Sequence, residues 1–238
     1  MSIDVQIWSD IACPWCFIGK RRFEKALAQF PQREQVTVTW RSFQLDPTLP
    51  EHDDRSEVDY LVESKGIPRA SVEQMIGQVA ENALGEGLHY DFDHLVVANS
   101  RRAHRLLQLA KHIDAEDGGT RAADLKELLL AAHFEKALDI GNVEVLAALA
   151  EEVGIAPDDA EAAASSDELD HAVEADIRLG AQIGVRGVPF FVVDGKYGIS
   201  GAQPPEVFLQ VLEQARAEQT PSLITVGESG DACGPDGC

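Results

Sequence analysis

The chain has 238 residues, 45% of them hydrophobic, a formal charge of −21 and four cysteines. That is enough chain for one large core or two small ones, and it contains no run of about 18 apolar residues to span a membrane. The acidic balance argues against nucleic-acid binding, which needs clustered Lys and Arg, and it reads as a well-solvated surface.

The start of the chain, Met1-Ser2-Ile3-Asp4, enters a strand with no preceding basic or apolar leader, so a cytoplasmic setting is expected. Structural disulfides are rare there. Ile3, Val5 and Ile7 alternate with Asp4, Gln6 and Trp8, the period of a strand. Phe23, Leu27 and Phe30 have helical spacing. Between the two lies Cys13-Pro14-Trp15-Cys16. Proline is favoured at the first helical position, where its missing N–H has no partner to lose. Cys13 therefore falls at the helix N-cap, where unpaired N–H groups and the positive helix end favour a thiolate. It is expected to be exposed, with its pKa below that of a free thiol. Cys16 lies two turns before Phe23 and faces the core. An exposed acidic thiol with a shielded partner one turn away suits a dithiol that attacks a disulfide and then releases its product.

Half of a zinc site and two inert thiols are the competing readings. Structural zinc takes four ligands, commonly from two such pairs. The other two cysteines, Cys233 and Cys238, lie at the far end with four residues between them, and the histidines show no paired metal spacing. Redox chemistry is preferred, with no metal site and no bound cofactor.

Val36, Val38 and Trp40 alternate as a second strand. Past Pro47 and Pro50 the chain becomes rich in Ala, Leu and Glu up to about residue 184. Helical stripes appear there, such as Leu106, Leu109, Ala110 and Ile113, or Leu125, Leu128, Leu129 and Ala132. Breaks near Gly66-Ile67-Pro68, Gly85–Gly87, Gly118-Gly119, Gly141 and Ala156-Pro157 divide this block into five to seven helices. Strand character returns at Pro189–Val193, and Asp194-Gly195 is a hairpin turn into Tyr197–Ser200. Pro204 and Pro205 open a last helix, and the stretch after Thr220 is Gly- and Ser-rich. The expected organisation is α/β, a sheet domain (1–50 and 176–219) interrupted by an all-helical insertion (51–175) and followed by a flexible tail (220–238).

Ser9-Asp10-Ile11-Ala12-Cys13-Pro14-Trp15-Cys16 resembles the active-site segment of DsbA-type thioredoxin-fold proteins, in particular the FrnE-like cytoplasmic subgroup. The likeness continues at Asn99-Ser100-Arg101-Arg102-Ala103-His104-Arg105, at Gly184–Phe191 and at Ile199–Pro204. It implies a thioredoxin fold split by a large helical insertion, with Pro189 cis and beside the two cysteines. It also implies thiol-disulfide exchange on protein or small-molecule disulfides. Cys13 attacks, Cys16 resolves, and Val188 pairs with an extended substrate; Pro14, Trp15 and Pro189 complete the binding surface. An external thiol such as glutathione, or a thioredoxin system, would be the electron partner. Trp15 stands where periplasmic DsbA enzymes carry His, so their oxidising strength is not implied.

Further candidates are Asp10, which if buried could take the proton that Cys16 loses, and Asn99, Ser100 and His104, which could line the cleft. Two alternatives stay open. One is the glutathione-dependent isomerase and transferase branch of the fold, whose members carry Ser at the position of Cys13. The other is a peptide-binding chaperone without turnover. At the far end, Pro-Asp-Gly between Cys233 and Cys238 is turn chemistry, and the 14 residues from Gln219 to Cys233 can span roughly 48 Å. A second redox pair serving the first is therefore expected there.

Overall fold

The computed structural model describes residues 2–219, and the Cys233–Cys238 pair lies outside them. β1 (Ile3–Ser9) is an inner strand because both of its edges are paired. β2 (Val36–Ser42) runs parallel to it, in register from Ile3↔Val36 to Ser9↔Ser42. β3 (Phe190–Val193) runs antiparallel, with Ile7 opposite Phe191, and β4 (Tyr197–Ser200) closes the order β2-β1-β3-β4. A parallel pair needs a crossover, and α1 (Pro14–Gln29) supplies it. The turn into β4 has positive φ at both Asp194 (49°) and Gly195 (65°), the geometry that two-residue hairpins favour.

The alternation in β1 assigns its two faces. Ile3, Val5 and Ile7 are buried under α1 and α9 (Pro205–Gln219), in a core centred on Phe23, Phe191 and Phe208. Those rings pack with centroids 4.6–5.8 Å apart. Trp8 points the other way, toward α8 (Asp167–Gln182), and its indole N–H donates to the Asp176 carbonyl at 2.8 Å. A Cβ on Gly180 would lie 2.7 Å from that indole nitrogen, so the close approach requires glycine. Asp176 also accepts from Arg41, Gln108 and Lys111 side chains and from the Ser42 N–H, which ties α8 to β2.

Between β2 and β3 run α2 (Glu57–Lys65), α3 (Arg69–Gly85), α4 (Arg101–Asp117), α5 (Arg121–Phe134), α6 (Val143–Glu152), α7 (Pro157–Ala164) and α8. Their ends follow the punctuation in the sequence. Gly66 and Gly118 close α2 and α4 with left-handed φ of 65° and 78°, Asn142 and Ser166 cap α6 and α8, and Pro157 opens α7. Residues 175 and 176, the expected boundary of the insertion, lie inside α8. Leu106, Leu125, Leu129, Leu146 and Ala150 form a second core among α4–α7.

A third cluster joins the two parts. Phe17 and Ile18 of α1 pack against Val79, Leu88, Leu130 and Phe134. Glu127 of α5 meanwhile accepts from Lys20 (2.6 Å) and Arg21 (2.9 Å) of α1. The N-terminal end of α1 is thereby held between the sheet and the helical block, and this places Cys13 and Cys16 in the interior.

Candidate functional site

Cys13 is the N-cap of α1, with Pro14 at the first helical position, as the sequence predicts. The expected exposure and acidity of its thiol are not found. Cys13 is 4% exposed and Cys16 1%, and both are free thiols. The Cys13 side chain makes no capping hydrogen bond; its single S–H is shared between the Val188 carbonyl, 3.6 Å from the sulfur, and the Cys16 sulfur. Its hydrogen bond with Cys16, then burial, then the charges of Cys16 and of Asp10 hold its pKa well above the free-thiol value. Burial also opposes a Cys16 thiolate, but the hydrogen bond from Cys13, the charge of Lys126, the Ser9 hydroxyl and the Asp10 N–H outweigh it and move that pKa down. The pair titrates as a unit, with its negative charge favoured on the inner sulfur.

The Val188–Pro189 bond is cis, as the family resemblance implies. Pro189 rests on α1 at Gly19, where an added Cβ would meet its ring at 2.8 Å. Pro14 accepts the Tyr90 hydroxyl on its carbonyl at 2.8 Å, and Phe17 stacks on the Tyr90 ring. Pro14 and Trp15 form one wall of a cavity of about 410 Å³ between the 45–49 loop, α2 and α3.

Behind the sulfurs lies a buried polar group. Asp10 is 1% exposed and accepts from the Leu45 N–H (2.7 Å) and the Ala12 N–H (3.3 Å), and its carboxylate lies 3.2 Å from His104 Nε2. Burial raises its pKa, but bonds to His104, Ser100 and Leu45 win and hold it below the usual carboxylate range. A proton acceptor works best with a pKa near the operating pH, so Asp10 is displaced away from the role expected of it. His104 is fully buried and kept neutral chiefly by burial, against the pull of Asp10. Ser100, 4% exposed, reaches both Asp10 and the cavity. Asn99 supports a loop instead. It accepts from Gln44 and from the Arg101 N–H, and donates to the Leu49 carbonyl, fixing the 44–49 segment.

Lys126 is a residue that the sequence reading missed. It is 1% exposed on α5, its ammonium 5.8 Å from the centre of the Trp40 ring, with no carboxylate in ion-pair contact among the described residues. Burial lowers its pKa to about 8, although Cys16, Asp10 and Cys13 all pull the other way. A lysine between Ala122 and Leu130 on the apolar face of a predicted helix was the available signal. Its neighbour Glu127 faces α1 and leaves Lys126 turned inward. Glu57 and His133, both on the cavity wall, were missed too.

A family model described as a DSBA-like thioredoxin domain matches residues 4–213. The crystal structure of a probable DsbA oxidoreductase from Streptomyces coelicolor is 39% identical, covers 99% of this chain and 98% of its own, and superposes with a TM-score of 0.83. The cytosolic disulfide reductase DsbM from Pseudomonas aeruginosa, solved with GSH, is 18% identical over 90% of this chain and 99% of its own, with a TM-score of 0.62. The protein YwbO of Bacillus subtilis strain 168 is 24% identical over 92% of this chain and its full length.

The buried His133 generates a pH prediction. Burial lowers its pKa from 6.5 to about 4, so the unfolded chain takes up the proton first as pH falls. The stability tied to the neutral ring is complete above about pH 6.5 and is lost on the way down to about pH 4; its size is about 3 kcal/mol. Urea midpoints measured from pH 7 to 4.5 should fall over this window and do so less steeply in His133→Phe. Parallel curves for the two proteins would contradict the assignment.

Proposed function

Because the chain belongs to the DSBA-like thioredoxin domain family, a family of thiol-disulfide oxidoreductases, we propose that Cys13 and Cys16 exchange disulfides with protein or small-molecule thiols. One observation carries the reading: two free cysteines at a helix N-terminus, the outer one against the Val188 carbonyl and the inner one a turn deeper, where the buried Lys126 ammonium helps draw its pKa down.

In the direction of substrate reduction, the reacting form is the singly ionised pair: as a disulfide reaches the site, the Cys13 proton passes to Cys16, the sulfur on which the charge is favoured. The Cys13 sulfur attacks one sulfur of the substrate. A bond forms between them, and the other half leaves as thiolate and is protonated. Cys16 then attacks the Cys13 sulfur and loses its proton, aided by the positive charge of Lys126, and the second half leaves. The enzyme ends as the Cys13–Cys16 disulfide, having delivered two electrons and the single proton its singly ionised pair held; the second proton comes from solvent. The reverse sequence oxidises a dithiol. The Val188 carbonyl, released by Cys13 on attack, is available to the substrate main chain. The chain's own sulfurs suffice for both steps, and an external thiol such as glutathione, or a thioredoxin-type dithiol, restores the starting state. A cytoplasmic setting belongs to this reading; the fold is shared by a cytosolic disulfide reductase solved with GSH.

The division of labour is tested by trapping. Cys16→Ala incubated with a disulfide-bonded protein such as insulin should accumulate a mixed disulfide through Cys13, and Cys13→Ser should form none. Trapping through Cys16 in Cys13→Ser would reverse the roles, and turnover by Cys13→Ser at the wild-type rate would remove the site.

The Lys126 charge makes a second prediction. Lys126→Met should raise the apparent pKa of the dithiol in alkylation–pH profiles. It should also shift its equilibrium with glutathione toward the disulfide about tenfold, which is about 30 mV. Lys126→Arg should recover part of both. A packing role alone leaves the alkylation profile where it was.

A further inference from the structure

We infer that the cavity beside Pro14 and Trp15 is a subsite for a cationic side chain of a polypeptide substrate, with Glu57 as its counter-charge; this rests on the exchange reading above.

The cavity lies next to the cysteine segment: Ala12 and Pro14, the residues on either side of Cys13 in the chain, line it together with Asp10 and Trp15. Its volume of about 410 Å³ lies in the range of small-ligand sites, roughly 300–1,000 Å³. It therefore has room for a long side chain and part of its backbone. Leu61, Met75, Ile76 and Val97 supply apolar walls, and Leu45 and Met75 are half-exposed at its rim.

The acids around this space are not alike. Asp10 is bonded to His104 and backbone N–H groups, as described. Asp46 accepts from Thr48 through both its N–H and hydroxyl, and from the Tyr60 hydroxyl, and Lys65, the cation on the cavity wall, is the charge that acts on it. Glu57, in the first turn of α2, has no hydrogen bond or ion pair among the described residues. Burial alone pushes its carboxyl up to about 7. A carboxyl held among apolar walls without a partner is costly, and an arriving cation removes that cost while drawing the group back to its ionised form.

The chemistry of the occupant follows. An aliphatic stem ending in an ammonium or guanidinium places its methylenes against the apolar walls and its charge on Glu57. The chain's charge of −21 draws such a substrate in. Glutathione carries two carboxylates against one ammonium and is opposed by an ionised Glu57, so this subsite favours basic segments of polypeptide over the small thiol.

The test uses short peptides with a single cysteine in mixed disulfide with nitrothiobenzoate, and with Lys, Leu or Glu beside that cysteine. The second-order rate constants for their reduction by pre-reduced protein, read from nitrothiobenzoate release in a single turnover, are compared at about pH 8, where the Glu57 carboxyl is ionised. Wild type should prefer the Lys peptide over the Glu peptide tenfold or more. Glu57→Gln should bring the ratio to within threefold of unity, and Glu57→Lys should invert it. Each ratio is taken within one sample, so partial unfolding of a variant cancels. A wild-type ratio near unity, or a Lys preference that survives both substitutions, overturns the subsite. Turnover of all three peptides by Cys13→Ser would instead overturn the exchange reading on which it rests.

Discussion

Lys126 carries an ammonium into the interior behind Cys16, and the local arrangement follows from what that charge requires. A buried cation without a carboxylate partner is expensive; sharing the space with a thiolate lowers the cost for both. The inner sulfur thus becomes the favoured site of negative charge, and the outer one keeps its proton and turns to the Val188 carbonyl. Asp10 adds to this by repelling charge from Cys13. In the substrate-free state Cys13, the sulfur proposed to attack, is thus held protonated against the segment proposed to receive substrate, with the proposed acceptor of its proton one turn away.

The ammonium comes from the helical block, whereas the sulfurs come from the sheet half of the chain. Glu127, bound by Lys20 and Arg21, clamps α5 to α1 and sets Lys126 at its depth. The insertion therefore does more than cover the sheet. It contributes the charge behind the dithiol, through α5, and an unpartnered carboxyl in front of it, through α2. The first bears on the chemistry of the sulfurs, and the second is placed to sort substrates.

How much of this was legible in the sequence depended on whether the cause was local. The β1–α1 unit, the N-cap position of Cys13, the helix breaks and the Asp194-Gly195 turn each follow from neighbouring residues, and the structure has them where they were expected. The state of Cys13 does not follow so, because it depends on α5 and on the 188–189 segment, far away in the chain. Helix-end arguments predicted an exposed acidic thiol; packing produced a buried, protonated one. Asp10 was singled out by its place just before Cys13, and Ser100 and His104 by the segment that carries the family likeness; the three do come together, while Asn99 was drawn into loop support. Lys126 and Glu57 look like ordinary helical residues until the tertiary fold turns them inward.

The central claim is that Cys13 and Cys16 form one reversible two-electron couple. Equilibrating the wild-type protein across a series of glutathione redox buffers, quenching with acid and weighing the alkylated products by mass spectrometry tests it directly. The account predicts a single transition between the dithiol and an internal Cys13–Cys16 disulfide, mapped by peptide digestion, with no glutathione adduct retained at either end. A chain that stays reduced throughout, or that ends as a stable glutathione adduct on Cys13 without the internal disulfide, would contradict it.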